Sequence, residues 1–179
     1  MESAISEAVA RGASPVFIGI DPGASGAVAV FAPGGKNSDE VLDIVDMPTF
    51  TIKRGTREVR HVDPAGLARI LAMHAGASAY ACIEKVGAMP GQGTASMFAF
   101  GRAAGVIEGV LAGLQLSYEL VAPQVWQRAM RVAGGKDGAR QRASQLFPRE
   151  AGLFARVKDD GRADAALLAY YAYASRGGK

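Results

Sequence analysis

Apolar and polar residues alternate between short, strand-sized apolar runs and longer helical stretches along most of this chain. Residues 15–21 (Pro15-Val16-Phe17-Ile18-Gly19-Ile20-Asp21) form an apolar run closed by Asp-Pro-Gly, a strong turn signal. A second run, residues 27–32, follows at once, which predicts two antiparallel strands joined around Pro22–Gly26. Val41–Val45 reads as a third strand, and residues 48–62, polar and basic without clear periodicity, read as a loop. Asp63-Pro64 predicts a cap and first turn for a helix to about His74, because proline is tolerated where no backbone donor is needed. Tyr80–Glu84 is a fourth strand, followed by a Gly/Pro loop over Val86–Gly93. Thr94 is placed to cap a long helix over residues 95–113. Gly101, Gly105, Gly109 and Gly113 recur along one face of it. Glycine weakens a helix, so this spacing predicts close approach of another backbone, either the sheet or a second subunit. Leu116–Val121 is the fifth strand, Pro123 opens a short helix, and residues 137–147 and 161–174 are helical. This order implies an α/β fold with a five-stranded mixed sheet and helices on both faces.

The polar residues that interrupt this pattern carry the chemistry. Asp21 closes the first strand and Glu84 the fourth, while Asp160 and Asp164 stand four apart at the start of the last helix and so share a face. Ionised carboxylates at the ends of buried strands need a counter-charge. A pair of hard divalent cations, Mg²⁺ or Mn²⁺, would supply it. Metal-dependent phosphodiester chemistry is the expectation that follows.

With 179 residues, 49% of them hydrophobic and 21% charged, the chain is expected to form one globular domain, residues 15–179, behind a short extension, residues 1–14. No stretch reads as apolar and charge-free enough to span a membrane, and the acidic start does not resemble a signal peptide, which points to a cytoplasmic protein. The single cysteine, Cys82, excludes an intrachain disulfide and reads as a small buried hydrophobe. Net charge is only +3, but its distribution is uneven. Nine basic residues against four acids lie between Arg128 and Arg162, among them Arg131, Lys136 and Arg140, and Lys53, Arg54, Arg57 and Arg60 form a second cluster. Such patches are the footprint expected for a polyanionic partner.

Three motifs carry a resemblance. Ile18-Gly19-Ile20-Asp21-Pro22-Gly23-Ala24-Ser25-Gly26-Ala27 looks like the first motif of RuvC-type Holliday junction resolvases. The run from Glu84 to Gly93 resembles the second motif in the phage and prophage branch, and Asp159 to Leu168 the last motif of that branch and of its chloroplast relatives. Together they order the chain from Pro15 to Tyr171. The resemblance implies an RNase H-like fold, a homodimer, and resolution of four-way DNA junctions by paired symmetric nicks. It also implies two ions per site, Mg²⁺ or Mn²⁺, on Asp21, Glu84 and the terminal-helix carboxylates, with no nucleotide cofactor. Relatives carry an acid or histidine at the position of Asp160 and commonly an acid at that of Asp159. Either could bind or position metal, and the face shared with Asp164 favours Asp160. Where bacterial members have a basic residue four after the matching proline, this chain has Gln127, leaving Arg128 or Lys136 for that contact. Where some place an aromatic wedge, it has Gly87, leaving a residue such as Met89 to unstack bases.

Other readings compete. The same fold serves nucleases acting on RNA or RNA–DNA hybrids. The turn Asp21-Pro22-Gly23-Ala24-Ser25-Gly26 also fits the phosphate loop of sugar-kinase and actin-like ATPases, which need two RNase H-like halves. A catalytically silent junction-binding protein would have no need of the carboxylates. Lys85 balances between a surface lysine and a phosphate contact, Trp126 reads as core, and His61 and His74 as incidental.

Overall fold

The structure, a computed structural model, describes residues 15–34, 40–74, 78–87, 91 and 93–178. The N-terminal extension and Met89 lie outside the described residues. Five strands make the main sheet: β1 (Val16–Asp21), β2 (Ala27–Ala32), β3 (Val41–Asp46), β6 (Ala79–Glu84) and β7 (Ser117–Val121), in the order β3-β2-β1-β6-β7. β2 pairs antiparallel with β1 and β3, whereas β6 runs parallel to both β1 and β7. The expected mixed five-stranded sheet is therefore present, with β1 at its centre.

Strand periodicity divides the core into two layers. Side chains alternate across a strand, so Phe17, Ala27, Ala29, Phe31 and Cys82 face one side. There they pack against α5 (Asp160–Ser175), α3 (Pro123–Ala129) and α4 (Gly138–Leu146) through Leu167, Leu168, Trp126, Ala143 and Phe147. Val16, Ile18, Ile20, Val28 and Ile83 face the other side, against α1 (Pro64–Ala72) and α2 (Thr94–Gly113) through Leu67, Leu71, Ile107 and Leu111. Each fully buried Leu or Ile contributes about 1.5–3 kcal/mol of apolar transfer. Cys82 is fully buried, as expected, and its thiol donates to Glu119 Oε1 at 3.1 Å.

One glycine decides how the layers meet. A Cβ on Gly19 would lie 2.0 Å from the Ala165 carbonyl oxygen and 2.3 Å from the Ala169 nitrogen. Only a residue without Cβ lets α5 lie directly on the central strand.

Four expectations need correction. Residues 48–62 are not a loop but a two-stranded hairpin, β4 (Thr49–Arg54) and β5 (Arg57–Val62), closed by Gly55-Thr56. Gly55 has φ +61°, the left-handed geometry that glycine supplies at the first position of a two-residue hairpin turn. Alternation of Phe50, Ile52, Val59 and His61 with polar residues is present but masked by basic side chains. Thr94 lies inside α2, with Gly93 at the N-cap and no side-chain cap. The α2 glycines do not accommodate the sheet, because an added Cβ at Gly101, Gly105, Gly109 or Gly113 meets nothing within 4 Å. Finally, α2 is long and apolar enough to cross a membrane by length and composition, with mean hydropathy 1.3, despite Arg102 and Glu108. Its Ala103, Ala104, Ile107 and Leu111 are buried within the fold, while Phe98 and Phe100 are exposed.

Candidate active site

Parallel pairing of β1 with β6 places Ile20 opposite Ile83. The next residues, Asp21 and Glu84, therefore end neighbouring strands side by side. Both share the parity of Gly19 and Cys82 and face the α5 layer. The first turns of α5 close over them. Gly161 packs so tightly there that its Cβ would stand 2.8 Å from Asp21 Oδ2 and 2.7 Å from the Ser25 carbonyl oxygen. Asp164, one turn further, lies near enough to feel the charges of both Asp21 and Glu84.

The electrostatics of this cluster are unfavourable as it stands. Burial, then the charge of Glu84, pushes Asp21 up to about 7. Burial, then Asp21, Glu84 and Asp160, pushes Asp164 up to about 8. Glu84 is raised by burial, against which Trp126 works by donating Nε1–H to Glu84 Oε2 at 2.9 Å. Trp126 is fully buried, so the core reading is right, but it also orients a carboxylate. Nothing in the sequence pattern ties these two residues, which are 42 apart.

Among the described residues no side chain donates to, or ion-pairs with, Asp21 or Asp164. Half-buried acids whose charges repel and that lack a partner fit a hard divalent cation by charge and donor type. No three Asp, Glu, His or Cys side chains among the described residues converge into a ready ligand set, so the fit is one of charge and chemistry. This predicts a pH dependence. Both acids ionise near 3.8 in the unfolded chain but hold their protons to about 7 and 8 when folded. The folded state then binds more protons between those limits. Stability without cation is fullest below the unfolded value and is lost as pH rises towards 8. In EDTA, Tm is expected to fall from pH 5 to pH 8. Asp164→Asn should flatten that slope and be the more stable protein at pH 8 by several degrees, since ~1 kcal/mol moves Tm by roughly 2–4 °C at this size. A thermal melt series checks this, and a variant with unchanged slope and lower Tm would contradict it.

The two neighbouring aspartates part company. Asp159 is 2% exposed and accepts from the Arg156 backbone nitrogen at 2.9 Å and from its guanidinium at 2.9 and 3.0 Å, which holds its carboxyl down to about 2. Asp160 lines the same cleft as Asp21 and Asp164, and accepts from Arg140 Nε at 2.7 Å. Arg140, expected to contact DNA, is thus engaged by Asp160 and Asp137. Arg142, Arg156 and Arg162 are similarly committed, to the Met130 carbonyl, Asp159 and Asp46. Arg128, Arg131, Lys136, Lys85 and Lys53 are exposed. Arg54 ends β4, at the tip of the hairpin.

The cleft has a volume of about 450 Å³. Its lining runs from the three aspartates across the Pro22–Gly26 turn to Arg60, His61 and Phe100. His61 thus belongs to the site, contrary to the sequence expectation, because an unrecognised hairpin carries it there. His74 does not line the cleft. It is buried beyond α1, with its charged form disfavoured.

Comparison with protein-family models and with curated proteins finds no match. Among solved structures, Thermus thermophilus RuvC matches with a TM-score of 0.54 at 13% identity, over 90% of this chain and 96% of that one. Thermus thermophilus RuvC in complex with a Holliday junction substrate matches with a TM-score of 0.55 at 14% identity and the same coverage. The fold is therefore the RuvC-like, RNase H-like α/β fold.

Proposed function

We propose that this protein is a metal-dependent endodeoxyribonuclease that resolves four-way DNA junctions by paired symmetric nicks, acting as a homodimer. The observation that carries the reading is the closeness of Asp21, Glu84 and Asp164, half-buried and without counter-charge, at the carboxyl ends of the central strand and its neighbour in a RuvC-like fold. Asp21, Glu84, Asp160 and Asp164 would hold Mg²⁺ or Mn²⁺. Bound there, two such ions supply an activated water and stabilisation of the leaving 3′-oxygen. The chain's own residues hold the acids in place: Gly19 and Gly161 let α5 approach, Trp126 orients Glu84, and Arg140 restrains Asp160. Asp159 serves as the buried anchor of the turn that starts α5.

The run from Glu84 to Gly93 supports the phage and prophage branch. Exposed Arg128, Arg131 and Lys136, with Lys85, Lys53 and Arg54, are the basic positions available for DNA backbone, and the open glycine face of α2 is where a second copy would fit. Met89 remains a candidate for base unstacking on motif grounds. The ATPase reading is weaker, since the described residues form one RNase H-like unit and the Ser25 hydroxyl is engaged by Arg60 at 2.7 Å. A labelled synthetic four-way junction, linear duplex and RNA–DNA hybrid, each with Mg²⁺, Mn²⁺ or EDTA, test the proposal. Paired metal-dependent nicks confined to the junction are expected. Cleavage of the hybrid alone would move the protein to another RNase H-like nuclease class, and binding without cleavage would make it an architectural protein.

A further inference from the structure

The β4–β5 hairpin gives the carboxylate cleft a basic wall. Arg60 and His61 on β5 and Arg102 on α2 line the same cleft as Asp21, Asp160 and Asp164. Arg60 donates to Ser25 Oγ at 2.7 Å, fastening the hairpin to the turn after β1. Arg102 Nη1 lies 3.4 Å from His61 Nδ1. Arginine can only donate, so Nδ1 accepts and the ring hydrogen sits on Nε2. That Nε2 is sealed from solvent and has no partner. Among the described residues neither arginine is neutralised by a carboxylate. The site thus holds two guanidiniums, one of them against the His61 ring, beside acids that call for a cation.

We propose that Arg60, His61 and Arg102 form a phosphodiester-anchoring wall, which binds the nucleic-acid phosphate presented to the carboxylate cluster. Anion bound at the guanidiniums would be felt by the His61 ring through its 3.4 Å contact with Arg102. The guanidiniums would meet the charge of the diester with planar donor pairs suited to phosphate. Acids and basic anchors then have distinct roles: the acids face the cation, the arginine wall faces the anion. The identity of the ligand as nucleic acid rests on the nuclease reading, whereas the anion site itself does not.

The test uses the whole chain in metal-free buffer with a thymidine tetranucleotide, and inorganic phosphate as the simple anion. The imidazole N–H signals of the two histidines are followed by NMR. The His61 signal is expected to shift saturably while that of His74 stays in place. Arg60→Gln or Arg102→Gln should each weaken the apparent Kd by about tenfold, the worth of one charge-assisted bond. Arg60→Lys should recover part of the loss. A His61 signal unmoved at saturating tetranucleotide, or glutamine variants that bind as the parent does, overturns the proposal. Junction cleavage separates the two readings. If the parent protein cuts junctions and Arg60→Gln and His61→Phe cut at the same single-turnover rate, the wall is wrong and the nuclease stands. If the parent cuts no nucleic acid but the His61 shift and its loss persist, the nuclease reading fails and the anion site stands.

Discussion

Asp21→Asn is expected to abolish junction cleavage while leaving junction binding intact or tighter. Asp21 ends the central strand beside Glu84, and Asp164 feels the charge of both, so Asp21 would be one of the residues that hold the ions. The amide keeps the shape and removes the charge that attracts them. Loss of a partner one shell out from a metal typically costs 10–100-fold, so loss of this ligand should cost roughly 10³-fold or more in single-turnover rate. Binding should not suffer, because removing one negative charge lessens repulsion of the phosphate backbone. Gel-shift and single-turnover assays on the same junction measure both sides. Normal cutting by the variant would remove the metal-site assignment altogether.

Gly19→Ala carries the largest expected effect on stability. Its methyl group would stand 2.0 Å from the Ala165 carbonyl oxygen and 2.3 Å from the Ala169 nitrogen. Both are backbone atoms of a helix, so no side chain can turn aside, and α5 must move off the sheet. Overpacking usually costs 1–3 kcal/mol, and with backbone on the far side about 3 kcal/mol or more is expected. That is a large part of the roughly 5–15 kcal/mol that holds such a domain together. Tm should fall by roughly 6–12 °C at this size. Because α5 carries Asp160 and Asp164, residual folded protein should also cleave slowly. Urea unfolding followed by circular dichroism checks the first effect, and a midpoint unchanged from the parent would mean that the helix does not seat where described.

Much of this was legible in the chain. The five strands of the sheet were readable from apolar runs of strand length, and β1, β2 and β3 each run up to a Gly, Pro or Asp. The start of α1 was readable because Asp63 and Pro64 are chemically suited to a helix N-terminus, and Asp63 Oδ1 indeed accepts from the Ala65 nitrogen at 3.0 Å. Asp21, Glu84 and the terminal-helix aspartates stood out because acids at the ends of apolar strands need an explanation. The hairpin over residues 49–62 was missed for a physical reason. Its strands do alternate, but at the tip Arg54 and Arg57 stand in the phase of Phe50, Ile52 and Val59, and the many basic residues around them hide the pattern. Two-stranded ribbons bury little, so their sequence carries little of the burial signal.

By itself, the sequence determined most local choices: the five strands of the main sheet, the helices to within a residue or two, and the acids at strand termini, though not the hairpin over residues 49–62. Those follow from side-chain shape, backbone freedom and short-range polarity, all of which act within a few residues. Only the tertiary structure decided the partners. It gave Asp159 to Arg156 and left Asp160 in the cleft, although both belong to the same first turn. It set Trp126 against Glu84, took Arg140 out of the exposed basic face, and brought His61 and Arg60 to the cleft beside Asp21. Such pairings depend on how β1, α5 and the hairpin lie in space. Burial there turns ordinary acids into groups that hold protons to about 7 and 8, because desolvation and mutual repulsion act through distance and dielectric rather than along the chain.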